Sequence, residues 1–134
     1  MQLNIYLNYN GNCEAAFRFY EQHLGAKFVA KMTHGEQPNP TVPPGFETKI
    51  LHAQLEIGGT LLMGADVPGA EPMRSAYLSL ELATDDEADR VYALLADGGQ
   101  IFMQMQETFF ASRFAMLRDR FGTSWMLLHS RPHP

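Results

Sequence analysis

His52, Gln54 and Glu56 alternate with apolar residues in the segment His52-Ala53-Gln54-Leu55-Glu56-Ile57, so they share one face of an extended strand. An imidazole titrates near neutral pH, and His52 is the best candidate in the chain for a general base. The alternative is a structural histidine hydrogen-bonded across a sheet, and the sequence leaves both open. Arg113 has a similar pair of readings: a clamp for an anionic ligand group, or a surface charge paired with Glu107. Neither residue is expected on a helix-packing face. The single cysteine, Cys13, excludes an intramolecular disulfide and a cysteine-cluster zinc site. It falls on the apolar stripe of a helix and is expected to be inert. His23, His34, His129 and His133 are scattered without metal-ligand spacing. There is no Gly-x-Ser-x-Gly elbow, phosphate-binding loop or dinucleotide fingerprint.

The elements that must position these groups come as one device used twice. Residues 2 to 9 alternate as a strand, with Leu3, Ile5, Leu7 and Tyr9 on one face and Asn4, Tyr6 and Asn8 on the other. Asn12 is placed to cap a helix whose buried stripe is Cys13, Ala16, Phe17, Tyr20 and Leu24, with Gly25 at its end. Lys27 to Met32, Thr48 to Ile57 and Thr60 to Ala65 read as strands, the last two joined by Gly58-Gly59 as a hairpin turn. Between them, residues 33 to 47 form a loop in which four prolines, Pro38, Pro40, Pro43 and Pro44, forbid a regular element.

The second half repeats the order. Ser75 to Leu82 form a strand, and Thr84-Asp85-Asp86-Glu87 is a capping box. A helix follows with Ala88, Val91, Tyr92 and Leu95 buried. Strands lie near 100–105, 112–118 and 123–129, and Trp125 is expected to pack under the second helix. The tail from Ser130 to Pro134 is expected to fray. The fold class is therefore α+β: two tandem βαβββ modules, about 1–66 and 75–130, forming one domain over residues 1–134 with a central cleft between equivalent elements.

Bulk properties narrow the partners. A chain of 134 residues with 46% hydrophobic and 19% charged residues is an ordinary globular domain. Its net charge of −5, with dispersed basic residues, argues against nucleic acid. No apolar run is long enough to span a membrane and no N-terminal signal region is visible, so a cytoplasmic location is expected.

Several motifs then resemble a known family. They are Tyr6-Leu7-Asn8-Tyr9-Asn10-Gly11-Asn12 followed by Phe19-Tyr20, and His52-Ala53-Gln54-Leu55-Glu56-Ile57-Gly58-Gly59. Glu107-Thr108-Phe109-Phe110 with Arg113-Phe114, and Asp119-Arg120-Phe121-Gly122-Thr123-Ser124-Trp125, complete the set. In this order they resemble the PhnB-like branch of the vicinal oxygen chelate superfamily, which includes glyoxalases, bleomycin-resistance proteins and extradiol dioxygenases. The branch commonly carries tryptophan and glycine where Phe110 and Ala111 stand here, which reshapes one wall of the cleft.

The resemblance implies four metal-ligand positions drawn from equivalent strands and normally held by His, Glu or Gln. The first falls on Ile5 or Tyr6. The internal match of Tyr6-Leu7-Asn8 to Tyr77-Leu78-Ser79 favours Tyr6. The others fall on Met63, Tyr77 and Met126. Thioether and neutral phenol are poor ligands for divalent transition metals, so no metal and no cofactor are expected. On this reading the ligand-binding candidates are Tyr6, His52, Met63, Tyr77, Phe110, Arg113 and Met126. They imply a small-molecule binding module, a homodimer by resemblance, for a compound that is apolar or aromatic. Two alternatives stand beside it. One is a metal-dependent lyase, isomerase or dioxygenase with a displaced ligand set, and the other is a degenerate member with an interaction role.

Overall fold

In the computed structural model, which describes residues 1–38 and 41–132, alternation and turn chemistry give two compact units, Met1–Glu71 and Pro72–Pro134. Unit one runs β1 (Ile5–Tyr9), α1 (Cys13–His23), β2 (Lys27–Thr33), β3 (Ile50–Ile57) and β4 (Thr60–Asp66). Unit two runs β5 (Leu78–Glu81), α2 (Asp85–Ala96), β6 (Gln100–Gln106), β7 (Ala111–Arg118) and β8 (Ser124–Ser130). The sheets are ordered β1-β4-β3-β2 and β5-β8-β7-β6, and in each the strand before the helix pairs parallel to the last strand. Each unit is thus one βαβββ module, as expected.

Unit one has a helix face and a free face. β1 pairs with β4 so that Leu7 lies beside Gly64, and β3 sets Ala53 on the other side of Gly64. A Cβ built on Gly64 would meet Phe17 Cζ at 2.8 Å and Cys13 Sγ at 3.1 Å, so this row faces α1 and only glycine fits there. Tyr9 packs edge-on against Phe17 on the same side. Gly58 and Gly59 make the two-residue hairpin with φ of 56° and 80°, the left-handed conformation that such a turn needs at both positions.

Unit two is built likewise. Trp125, Leu127, Ala115 and Leu117 are buried beneath α2 with Ala88, Val91 and Leu95. Thr84 Oγ1 accepts from the Glu87 amide, and the return arm of the capping box lands on Ala83 N at 3.4 Å rather than on the cap residue's own amide.

Each unit is also tied by one buried aspartate. Asp66 accepts from Gly11 N and Cys13 N through Oδ1 and from Ile50 N through Oδ2, at 2.8–3.0 Å. Asp119 accepts from Phe121 N, Thr123 N and the Trp125 indole N–H, and so fixes the β7–β8 turn.

Four local expectations are corrected. The side chain of Asn12 makes no cap hydrogen bond to α1; the Asp66 carboxylate meets the first-turn amide of Cys13 instead. The loop after β2 begins with a one-turn 3-10 helix, His34–Glu36, closed by Thr33 and Glu36. His34 is buried, and its Nε2 is 2.9 Å from the Asp66 carbonyl oxygen. β5 starts only at Leu78, so Tyr77 precedes the strand. Finally, the tail is held through Arg131: Ser130 donates to Glu81, Arg131 N donates to the Phe110 carbonyl, and the Arg131 guanidinium pairs with Glu107. Pro40, His133 and Pro134 lie outside the described residues.

Candidate functional site

Because Leu7, Gly64 and Ala53 face α1, their neighbours in sequence face away from it. Tyr6, Met63 and Gln54 lie side by side across β1, β4 and β3, with Ala30 of β2 beyond. His52 lies one row over, beside Met32. This settles the register: Tyr6, not Ile5, stands on the helix-free face, and it is 47% exposed.

The polar groups of this face form a chain. The Tyr6 phenolic oxygen is 3.2 Å from His52 Nδ1, and the Gln54 amide Nε2 is 3.2 Å from His52 Nε2. The two rings lie 5.8 Å apart at 34°. An amide nitrogen can only donate, so in this arrangement His52 Nε2 accepts and Nδ1 carries the proton. Nδ1–H then donates to the Tyr6 oxygen, which leaves the phenolic hydrogen for a partner outside the chain. Burial, followed by the Cys13 thiol, pushes the Tyr6 phenol above its ordinary pKa. The phenol therefore stays neutral and a donor throughout the physiological range. Met63 supplies an apolar, polarisable wall beside it.

In unit two the corresponding face carries Ser79, Met126 and Met116 in one row, with Met103 paired to Met116. Phe110 stacks edge-on against Phe114 at 5.1 Å. Tyr77 makes an edge contact with Phe102 at 6.4 Å, and the Arg118 guanidinium lies over the same ring. The expected equivalences of Tyr6 with Tyr77 and of Met63 with Met126 meet a conflict in register. Tyr6 pairs with Met63, whereas Ser79 pairs with Met126 and Tyr77 precedes β5, so the equivalence of Tyr6 with Tyr77 and that of Met63 with Met126 do not hold together.

Arg113 is also corrected. It shares its face with Ala115 and Leu117, so it points toward α2. There Nε meets Asp89 at 2.9 Å and NH1 meets Asp85 at 3.5 Å. These carboxylates, Asp89 first, hold the guanidinium above its usual pKa. Arg113 therefore has its anions already, and they are not Glu107, which pairs with Arg131.

Beside it lies a serine, a histidine and an aspartate that sequence reading left apart. Ser112 Oγ donates to Asp85, and His129 Nδ1 is 2.9 Å from the same carboxylate oxygen. These two contacts, Ser112 first, hold the Asp85 carboxyl below its ordinary pKa. The wiring is not that of a hydrolase triad. There the base receives the serine proton on one ring nitrogen and meets the aspartate with the other. Here Ser112 and Asp85 both lie at Nδ1, with Ser112 Oγ at 3.3 Å, so the imidazole is not interposed. The cluster fastens the start of α2 to β7 and β8.

A shallow depression on unit one, along α1 and β2, offers no alternative site. Among its lining residues, Arg18 and Lys31 both pair with Glu14, and Glu21 accepts the Phe28 amide.

The family of this module is decided by comparison. The model for the glyoxalase/bleomycin resistance protein/dioxygenase superfamily matches residues 2–127. The chain belongs to that superfamily. Protein YjdN of Escherichia coli (strain K12) is 35% identical over 138 residues, covering 95% of this chain and 94% of YjdN. Protein PA1353 of Pseudomonas aeruginosa is 37% identical with a TM-score of 0.86, covering 98% of this chain and 99% of that one. A PhnB protein from Bacillus cereus, described as a putative 3-demethylubiquinone-9 3-methyltransferase, is 27% identical with a TM-score of 0.77, over 96% and 99% of the two chains. These likenesses fit the PhnB-like branch.

The resemblance implies metal-ligand positions, and the side chains that fall on them do not suit a divalent transition metal. Of the positions that the resemblance assigns, Tyr6 carries a phenol and Met63 and Met126 carry thioethers, and the Tyr6 phenol is shifted away from the phenolate a metal would need. Both ring nitrogens of His52 are engaged. Among the described residues no group of three or more His, Cys, Asp or Glu could hold a metal ion. Among them, too, no helix is long and apolar enough to cross a membrane.

Proposed function

We propose that the chain is a binding protein for a small, largely apolar or aromatic compound, acting as a homodimer and without a metal at the inherited position. The observation that carries this reading is the helix-free face of unit one. It sets a neutral phenol, held by an imidazole and an amide, beside Met63, two of the positions that the resemblance assigns to metal ligands. The face mixes Met63, Met32, Ala30 and Leu61 with the polar groups of Tyr6, His52 and Gln54 and the charged pair position Lys27–Glu56, and apolar surface with placed polar groups is the make-up of a small-molecule site. Within unit two taken by itself, Met126, Tyr77 and Phe110 are the proposed apolar contacts, and Phe110 remains 38% exposed. Dimerisation is supported by the edge strand β6, where Ile101, Phe102 and Met103 are 44%, 42% and 37% exposed. Strand edges of this kind are normally covered.

Native mass spectrometry of freshly purified, chelator-free protein tests the three parts together. The expected spectrum shows a dimer, far less than one transition-metal ion per chain, and a co-purified organic compound released on denaturation. About one Zn²⁺, Ni²⁺ or Fe²⁺ per chain would overturn the reading and point to a lyase, isomerase or dioxygenase with a displaced ligand set.

A further inference from the structure

We propose that the helix-free face of unit one selects an uncharged ligand by donating one hydrogen bond, from the Tyr6 phenol to a neutral acceptor oxygen such as a ketone or amide carbonyl on an aromatic body. This rests on the binding reading above and adds the class of ligand. Two observations carry it.

The first is the direction of the hydrogen bonds. Gln54 Nε2 donates to His52 Nε2, which fixes the imidazole proton on Nδ1, and Nδ1–H is spent on the Tyr6 oxygen. The phenolic hydrogen is then left without an acceptor inside the chain, and the second N–H of Gln54 is the other donor not used within it. His52 and Gln54 are positioning residues: they orient the phenol and fix its role, while Tyr6 makes the contact.

The second is charge. The row Tyr6–Met63–Gln54–Ala30 and the neighbouring row with His52 and Met32 contain no lysine or arginine. Arg113, the cation that the sequence offered for an anionic ligand, is taken up by Asp85 and Asp89 of its own unit. The row beyond Gln54 holds Lys27, which faces Glu56 across the β2–β3 pair; a carboxylate or phosphate laid on the Tyr6 row itself would lose water and find no unopposed countercharge in that row. An acceptor that is already neutral loses little and gains the phenol.

Three near-isosteric probes separate the possibilities: 2-acetylnaphthalene with a neutral acceptor, 2-ethylnaphthalene with none, and 2-naphthoate with a charged one. Binding to the full chain is measured by titration, for wild type and for Tyr6→Phe. The expected order is ketone, then hydrocarbon, then carboxylate. The ketone should lead the hydrocarbon by roughly three- to ten-fold, the range of one net hydrogen bond. Tyr6→Phe should bring the ketone down to the hydrocarbon and leave the hydrocarbon unchanged, with an unaltered circular dichroism spectrum showing that the fold is intact. Ketone and hydrocarbon bound alike, or naphthoate bound best, would overturn the donor assignment while leaving the binding reading standing. Failure of all three to bind would overturn both. Nitrogen NMR of His52 gives an independent readout: protonated Nδ1 and bare Nε2 support the assignment. The opposite tautomer, in which the phenol must donate to Nδ1, would overturn it.

Discussion

Replacing Asp66 with asparagine exchanges one carboxylate oxygen for an amide NH2 without changing the shape of the side chain. The site is 1% exposed, and its three bonds go to backbone amides of three separate segments: Gly11 before α1, Cys13 at the helix start and Ile50 at the start of β3. In the variant the remaining oxygen can keep Gly11 and Cys13, but Ile50 N then faces a donor, or the reverse. One charge-assisted bond, worth about 1.5–3 kcal/mol, is lost, and the other two fall to neutral strength at about 0.5–1.5 kcal/mol each. The expected destabilisation is about 3–5 kcal/mol, a large share of the roughly 5–15 kcal/mol that holds a domain together. Asp66→Ala would leave all three amides without an acceptor and is expected not to fold, so asparagine is the informative change. Urea unfolding followed by far-ultraviolet circular dichroism reads the difference as a lower midpoint at constant slope. A variant within about 0.5 kcal/mol of wild type would show that these contacts carry no net stabilisation and that the capping account of α1 is wrong.

Other perturbations follow from the same geometry. Gly64→Ala drives a methyl into Phe17 and Cys13 and is expected to cost about 1–3 kcal/mol by the same unfolding measurement. Cys13 is fully buried, and burial, with Asp66 and Glu14 adding to it, pushes its thiol well above the usual range. It should therefore resist a disulfide reagent in the native state and react promptly in denaturant. Asp85 has a folded pKa below its ordinary value of about 3.9, so its contribution is present above that value and is lost as pH falls through the folded pKa. The stability gap between wild type and Asp85→Asn should be constant from about pH 7 to 5 and narrow below about pH 4. A gap unchanged down to about pH 2 would contradict the assigned bonds.

What was legible in the sequence was local. Alternation set the faces of β1, β3 and β8, Gly58-Gly59 fixed a turn that requires positive φ twice, and Thr84 with Glu87 marked a helix start. The misses were non-local. Asn12 is a good cap residue by type, yet a carboxylate more than fifty positions away serves the helix, and no spacing rule connects Asp66 to Cys13. Arg113 obeys the alternation of Ala115 and Leu117. Its side was readable, but its charge suggested a ligand before Asp85 and Asp89, one helical turn apart on α2, were known to lie above it. His52 was found from its face. Its chain to Tyr6 required the pairing of β1 with β4 and of β4 with β3, which no single segment contains.

The two modules share a topology without sharing chemistry, and the register shows how. Matching Tyr6-Leu7 to Tyr77-Leu78 uses two identical letters, yet Tyr6 pairs with Met63 while Ser79, not Tyr77, pairs with Met126, so that match and the match of the two methionines exclude each other. The hairpins that set these registers differ: two glycines close β3 and β4, whereas a longer turn held by Asp119 closes β7 and β8. The buried aspartates have likewise moved, one to the end of β4 and one to the β7–β8 turn. Here one sheet offers a phenol backed by an imidazole, and the other offers a serine among methionines. With donor chemistry that differs between the two sheets, the function proposed for unit one is a single oriented hydrogen bond from Tyr6 beside Met63.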